Sequence, residues 1–303
     1  NVDYEVIAVD DFSSDNSMSI LGAIKNKYPN LKISSLNQET WYSVKMAQNL
    51  AIKASGYDWV MVIPPTLCQF KQDWLKAVTS SVNLNQDVVV SYSNVKPAGT
   101  FFNNLYRTEN FFQQVKSAGF ILNRLPFIIS EENVAFRKDK YFAEGGYRHK
   151  VSEPYANLEL LINNFIKTKN TSILYTEETS VFRDETISKS LFFDLLKKEI
   201  RIRRHLRLSR KIFLFTEEFT ESLFLPATLI LIFLIPPLLP ILSILFTVII
   251  LIRIFIIKKA IRRLNESKLL LSSLIYALLL PYFKLGYRFY YNQHTHKKCR
   301  HKK

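Results

Sequence analysis

Two adjacent carboxylates, Asp10 and Asp11, close the short apolar run Val6 to Val9 and precede the polar cluster Ser13, Ser14, Asp15, Asn16 and Ser17. A run that short reads as a strand buried on both faces, and the cluster as loop and helix-cap chemistry. In an open α/β sheet, ligands bind in the crevice beyond the carboxyl ends of the strands. Paired carboxylates there accept hydrogen bonds from a sugar hydroxyl or a base N–H. The competing reading is a pair of solvated turn residues. A different charged group lies at 197–211, where eight Lys or Arg stand against one Glu. That run suits anionic lipid headgroups or a diphosphate.

The elements that must hold these groups follow from hydrophobic periodicity. A helix is expected over 18–31 with an apolar face at Ile20, Leu21 and Ile24, then a strand over 31–36. A helix over 41–54 places Val44, Ala47, Leu50, Ala51 and Ala54 near 3.6 spacing. Strands are expected at 58–63 and 87–92, and a helix at 104–118. Cys68 and Cys299 are far apart and in no paired motif, so neither a disulfide framework nor a zinc site is implied. Residues 1–196 carry 20 Lys/Arg against 21 Asp/Glu, whereas residues 197–303 carry 21 against 5, which leaves +16 in the last third. That excess shares its segment with the longest apolar runs, so it reads as a membrane surface and not as a nucleic-acid patch.

The opening segment resembles the nucleotide-binding strand of family-2 glycosyltransferases, with Glu5, Val9, Asp10, Asp11, Ser13, Ser14, Asp15 and Ser17 all matching. In that family the acids hold the uracil or ribose of a nucleotide-sugar. The likeness continues in order through Lys45, Ala47 and Asn49, Asp73-Trp74-Leu75, the run Asn133, Ala135, Phe136, Arg137 and Lys138, then Phe142 and Gly145-Gly146-Tyr147. Arg107 and Glu109 are similar to the Arg-x-Glu of membrane-associated bacterial members. An i, i+2 pair shares no helix face, so each should find other partners. Arg204-His205-Leu206 matches an element that in the family closes over the acceptor channel and the diphosphate, with Arg201 replacing its Gln. The family's opening strand and polar loop are absent, which reads as a chain lacking its true N-terminus.

Two catalytic motifs depart from the family. Its Asp-x-Asp, which holds Mg²⁺ or Mn²⁺ and through it the phosphates, falls on Pro64-Pro65-Thr66, and 63–69 contain no acid. Hard divalent ions need oxygen ligands, so no metal-binding residue is assigned, although the resemblance implies Mg²⁺ or Mn²⁺. The family's general base falls on Asn157 or Leu158, and Asn accepts no proton near neutral pH. Glu159 is the nearest substitute and Glu153 the next. A plain alternative makes Glu159 a solvated residue suiting a helix N-terminus. Ser130, Glu131 and Glu132 replace glycines where the backbone should approach a sugar.

Leu223 to Ile257 is 35 residues with one charge, Arg253. That exceeds one span of about 20 residues, and Pro236, Pro237 and Pro240 interrupt it. Two spans, 219–236 and 239–257, are expected, with Lys258, Lys259, Arg262 and Arg263 marking the cytoplasmic end. Residues 269–283 are short and contain Pro281, which suggests an interfacial or re-entrant helix.

The resulting expectation is a mixed, mostly parallel α/β sheet with flanking helices over 1–196, of the GT-A type the resemblance implies. A basic interfacial helix over 197–218, a transmembrane hairpin over 219–257 and a basic end over 258–303 complete it. The resemblance implies transfer of a sugar from a nucleotide-sugar to a lipid-linked or polysaccharide acceptor at a bacterial inner membrane, with the soluble domain in the cytoplasm. The alternative is a catalytically silent partner or carbohydrate-binding subunit. Asp10, Asp11, Ser13 and Lys45 would face the nucleotide. Asn133, Arg137, Arg201, Arg204 and His205 would face the acceptor or diphosphate.

Overall fold

A computed structural model describes residues 2–39, 42–63, 66–82, 85–235, 237 and 239–300. The chain divides into two compact units, one of Asn1–Lys96 with Phe112–Glu185, the other of Pro97–Phe111 with Thr186–Lys303.

In chain order the elements of the first unit are β1 (Val6–Asp10), α1 (Ser17–Lys25), β2 (Leu31–Ser35), α2 (Ser43–Ala54), β3 (Trp59–Met61), β4 (Leu67–Gln69), α3 (Trp74–Ser80), β5 (Val88–Ser91) and β6 (Ser93–Val95). Helix α4 (Phe101–Leu122) is shared between the units, and β7 (Val134–Arg137), α5 (Lys138–Ala143), α6 (Glu159–Phe165), β8 (Thr171–Leu174) and β9 (Val181–Arg183) follow.

The mixed α/β character holds, but the expected single, mostly parallel sheet does not. β1 and β2 form a parallel pair, with Asp10 opposite Ser35 at their carboxyl ends. A second sheet has the order β3-β7-β5-β8, with β7 antiparallel to both neighbours and β5 parallel to β8. A third has the order β4-β9-β6, with one pairing of each kind. The cause is local. The strand expected over 87–92 splits at Tyr92 into β5 and β6, which enter different sheets. The Tyr92 carbonyl, freed from one ladder, accepts from the Val181 N–H at 3.0 Å. β5 still reads as predicted: Val88, Val89 and Val90 are buried on both faces. Val89, with Ala135 of β7 and Val181 of β9, packs on Trp74 and Val78 of α3. Each fully buried valine of this cluster contributes on the order of 1.5–3 kcal/mol.

Amphipathic faces were less legible. α1 has no buried residue, and Ile20 is 58% exposed. On α2 the inward face carries Lys45, Gln48, Asn49 and Ile52, while Val44 points outward.

The second unit is helical: the start of α4, then α7 (Lys189–His205), α8 (Leu208–Leu234), α9 (Leu239–Arg263) and α10 (Leu270–Arg300). Ser188 caps α7 by accepting from the Leu191 N–H. The break between α8 and α9 falls where the prolines predict, although Pro236 lies outside the described residues. α8 runs through Pro226, and α10 through Pro281, as continuous helices. Among the described residues, α9 and the 270–294 part of α10 are long and apolar enough to cross a membrane, with mean hydropathy 2.8 and 1.3. At 1.5 Å per residue, either exceeds a hydrocarbon core of about 30 Å. The expected hairpin paired α8 with α9, and α10 was expected to be a short interfacial segment. It is 31 residues long.

Candidate functional site

At the tip of β1 the predicted acids divide. Asp10 is buried, its Oδ2 accepts from the Ser13 N–H at 3.1 Å, and its carbonyl accepts from the Leu36 N–H. Asp10 and Ser13 therefore close their own turn. Asp15 accepts from the Ser17 N–H at 2.9 Å, and its hydrogen bonds to Ser17 lower its carboxyl pKa. Glu5 pairs with Lys32 and accepts from the Gly56 N–H, tying β1 to β2 and to the turn after α2. The Lys32 bond lowers the Glu5 pKa. Asp11 remains solvent-exposed. Beside it in sequence Phe12 holds φ 59°, and the residue is 51% exposed. A bulky residue in the left-handed region is a strained conformation of the kind that clusters at ligand sites.

A second group gathers residues from α2 and from the loops before β7 and α6. Glu131 is its centre. Its Oε1 accepts from Gln48 Nε2 at 3.1 Å and Asn157 Nδ2 at 3.2 Å, and its Oε2 from the Leu158 N–H at 2.7 Å. Tyr147 donates its hydroxyl to Gln48 Oε1 at 2.5 Å, and Glu159 Oε1 accepts from the Asn157 N–H at 3.1 Å. Lys45 does not reach outward to a nucleotide. Its ammonium donates to the carbonyls of Lys150, Val151 and Glu153 and lies 5.9 Å from the Tyr147 ring centre. Burial lowers the Lys45 pKa against the opposing pull of Glu159, Glu153 and Glu131. Burial, then Glu131 and Glu159, push the Tyr147 phenol well above its ordinary range. Lys45 and Glu131 thus pin the 150–159 loop to α2, and Glu159 braces that loop from within.

The expected base Glu159 is fully buried at the start of α6, so the solvated reading of it is corrected too. A general base must come within about 2.6–3.2 Å of the proton it removes, and this carboxylate is turned to its own loop. Glu153 supplies its carbonyl to Lys45. Tyr155 lies between them in sequence at φ 67° and is 43% exposed. Phe12, Tyr155 and Glu131 were missed as site residues. Left-handed aromatics leave no mark in a sequence. Glu131 did leave one: an acid set between the apolar runs Phe127–Ile129 and Val134–Phe136.

Asn133, expected to meet an acceptor, is instead a structural hub. At φ 56° and 3% exposure its Nδ2 donates to the carbonyls of Tyr92 and Thr179 at 2.7 and 2.8 Å, and its Oδ1 accepts from Trp74 Nε1 at 3.2 Å. Arg137 pairs with Asp139 at 3.2 Å on the surface. Pro64 and Pro65 lie outside the described residues. Thr66 is exposed, and its carbonyl accepts from the Asp184 N–H. Among the described residues no group of three or more His, Cys, Asp or Glu side chains is placed to hold a metal ion.

Arg201, Arg204 and His205 belong to the second unit, on the last turns of α7. Arg201 Nε donates to the Tyr291 hydroxyl at 3.0 Å, and Arg204 to Asn292 Oδ1 at 2.7 Å, both guanidinium groups lying within 6 Å of the Tyr291 ring centre. Arg107 and Glu109 do take separate partners. Arg107 meets Glu266 at 2.5 Å and the Ser267 carbonyl. Glu109 begins an alternating chain: Lys284 at 2.8 Å, then Glu199, Arg203, Glu218 and Arg288, with Lys284–Glu199 at 2.6 Å and Arg288–Glu218 at 2.8 Å. Glu199 and Glu218 raise the Arg203 pKa even though burial opposes it.

No protein-family model matches the chain, and no curated protein matches it.

Proposed function

We propose that this chain is a membrane-associated glycosyltransferase-like protein of GT-A type, binding a nucleotide-sugar at the tip of β1 and passing the sugar to a lipid-linked or polysaccharide acceptor at the cytoplasmic face of a bacterial inner membrane. The single observation that carries it is Asp11-Phe12, exposed beyond the carboxyl ends of a parallel strand pair, with Phe12 held in a strained backbone. Asp11 is available to ribose hydroxyls or a base N–H. The Phe12 ring offers a stacking face for the base, an interaction of about 1–3 kcal/mol. The Mg²⁺ or Mn²⁺ that the resemblance implies finds no fitting ligand set, since Pro64-Pro65-Thr66 offers one hydroxyl. No step is routed through a metal.

A second reading, a silent binding subunit, has its own support. Lys45, Asn133 and Glu159, the residues the resemblance assigns to nucleotide, acceptor and proton, are all engaged inside the fold. Titrating UDP and UDP-sugars into the detergent-solubilised full chain, with and without Mn²⁺, and following UDP release separates the two. Turnover supports the transferase, and binding without turnover supports the subunit. Unchanged affinity in both Asp11→Ala and Phe12→Ala removes the nucleotide site.

A further inference from the structure

α8 is built inside out. Leu208, Ile212, Phe215, Phe219, Leu223, Ile230 and Phe233 are each at least half exposed. Steps of three and four residues, through Pro226, put them on one face along the whole helix. The buried side carries Arg210, Leu214 and Glu218, and Glu218 is paired with Arg203 and Arg288. A water-facing helix has the opposite polarity. Glu218 turned inward between Arg203 and Arg288, with apolar groups outward, is the arrangement that hydrocarbon surroundings require; Glu221 is exposed and stands outside it. The hydroxyls agree: Thr216, Thr220, Ser222 and Thr228 each donate to a carbonyl of their own helix, leaving little for water to satisfy. The stripe continues into α9, and Arg207 and Lys211, both exposed, stand at its start.

We propose that this face of α8, from Leu208 onward, is a lipid contact, making α8 a third membrane-embedded helix whose occupant is the acyl chains of a bilayer, with Arg207 and Lys211 on anionic headgroups. It rests on the membrane part of the reading above. The apolar run by itself marks only the later part of α8, within the span expected over 219–236, because Glu217, Glu218 and Glu221 fall in the middle of the helix; all three lie off the apolar stripe.

The test uses the full chain with Cys68→Ser and Cys299→Ser, reconstituted in phosphatidylethanolamine and phosphatidylglycerol vesicles. Single cysteines replace Ile212, Leu214, Phe215, Glu218, Phe219 or the exposed control Lys25, and carry a spin label. Expected are maxima of oxygen over nickel-chelate accessibility at 212, 215 and 219, minima for both reagents at 214 and 218, and nickel access at 25. Nickel access at 215 and 219 overturns the proposal in favour of a water-facing surface. Protection from both reagents there overturns it in favour of a protein cover or a second copy. Vesicle flotation of the same samples separates the two claims, since a chain that does not float fails the membrane reading itself.

Discussion

Replacing Lys284 by Met should destabilise the helical unit severely. Its ammonium sits between Glu109 and Glu199, whose side chains are 0% and 4% exposed. Removing one partner of a buried pair costs about 3–5 kcal/mol, because the remaining charge is left without compensation. Two carboxylates lose their lysine here, but Glu199 keeps Arg203 at 2.5 Å, so the expected loss stays near the single-pair figure. For a unit of this size that lowers the melting midpoint by roughly 6–20 °C. The assay is helical circular dichroism against temperature, in one detergent at one protein concentration. Glu109→Gln alone leaves Lys284 paired with Glu199 and should cost less. The double variant Glu109→Gln with Lys284→Met removes both charges and should return to within about 1 kcal/mol of the parent. A loss below about 1 kcal/mol for Lys284→Met, or a double variant no better than the single, refutes the reasoning, because the chain of charges would then be solvated.

Three further outcomes are expected. Asn133→Ala removes three hydrogen bonds of about 1 kcal/mol each and the short polar side chain that eases a left-handed φ, a conformation disfavoured for Ala by about 1–2 kcal/mol, so urea unfolding followed by tryptophan emission should show a loss near 4 kcal/mol; a loss under 1 kcal/mol contradicts the hub. Glu5 has a folded pKa below its ordinary 4.5, so the stability it lends is present above that value and lost as pH falls through the folded one. Lys32 is half exposed, which limits the effect to about 1 kcal/mol or less, and the gap between parent and Glu5→Gln should close on acidification. Lys45 has a folded pKa below 10.5. The unfolded chain therefore binds more protons in the window just below 10.5, and stability from this group rises with pH there. Melting of parent and Lys45→Met across that window should show the rise in the parent only.

What could be read from the letters was the burial of individual segments. β5 as a run of valines, the end of β1 at Asp10 and the break between α8 and α9 are set by local composition. Sheet assembly is not local. Whether β7 enters between β3 and β5, and in which direction, depends on partners more than forty residues away, so in place of one mostly parallel sheet there are a parallel pair and two mixed sheets. α2 shows a second limit. Its apolar periodicity selected the face with Val44 and Ala47, but the ammonium of Lys45 and the amides of Gln48 and Asn49 are turned inward because loop carbonyls, Tyr147 and Tyr141 await them there. A charged letter states what a side chain can bond to and leaves its direction open. The same holds for Glu131, expected as an obstacle beside a sugar and found as the acceptor that organises a loop.

Asn133 bears on how variant screens of this protein should be scored. Any replacement that lacks its carboxamide or resists its backbone angle will lower the amount of folded chain, and with it any output measured per cell. Judged by output alone, position 133 would rank with residues that touch a substrate. Quantifying soluble protein beside output would show instead a scaffold position whose intolerance reports three neighbouring backbone and ring partners.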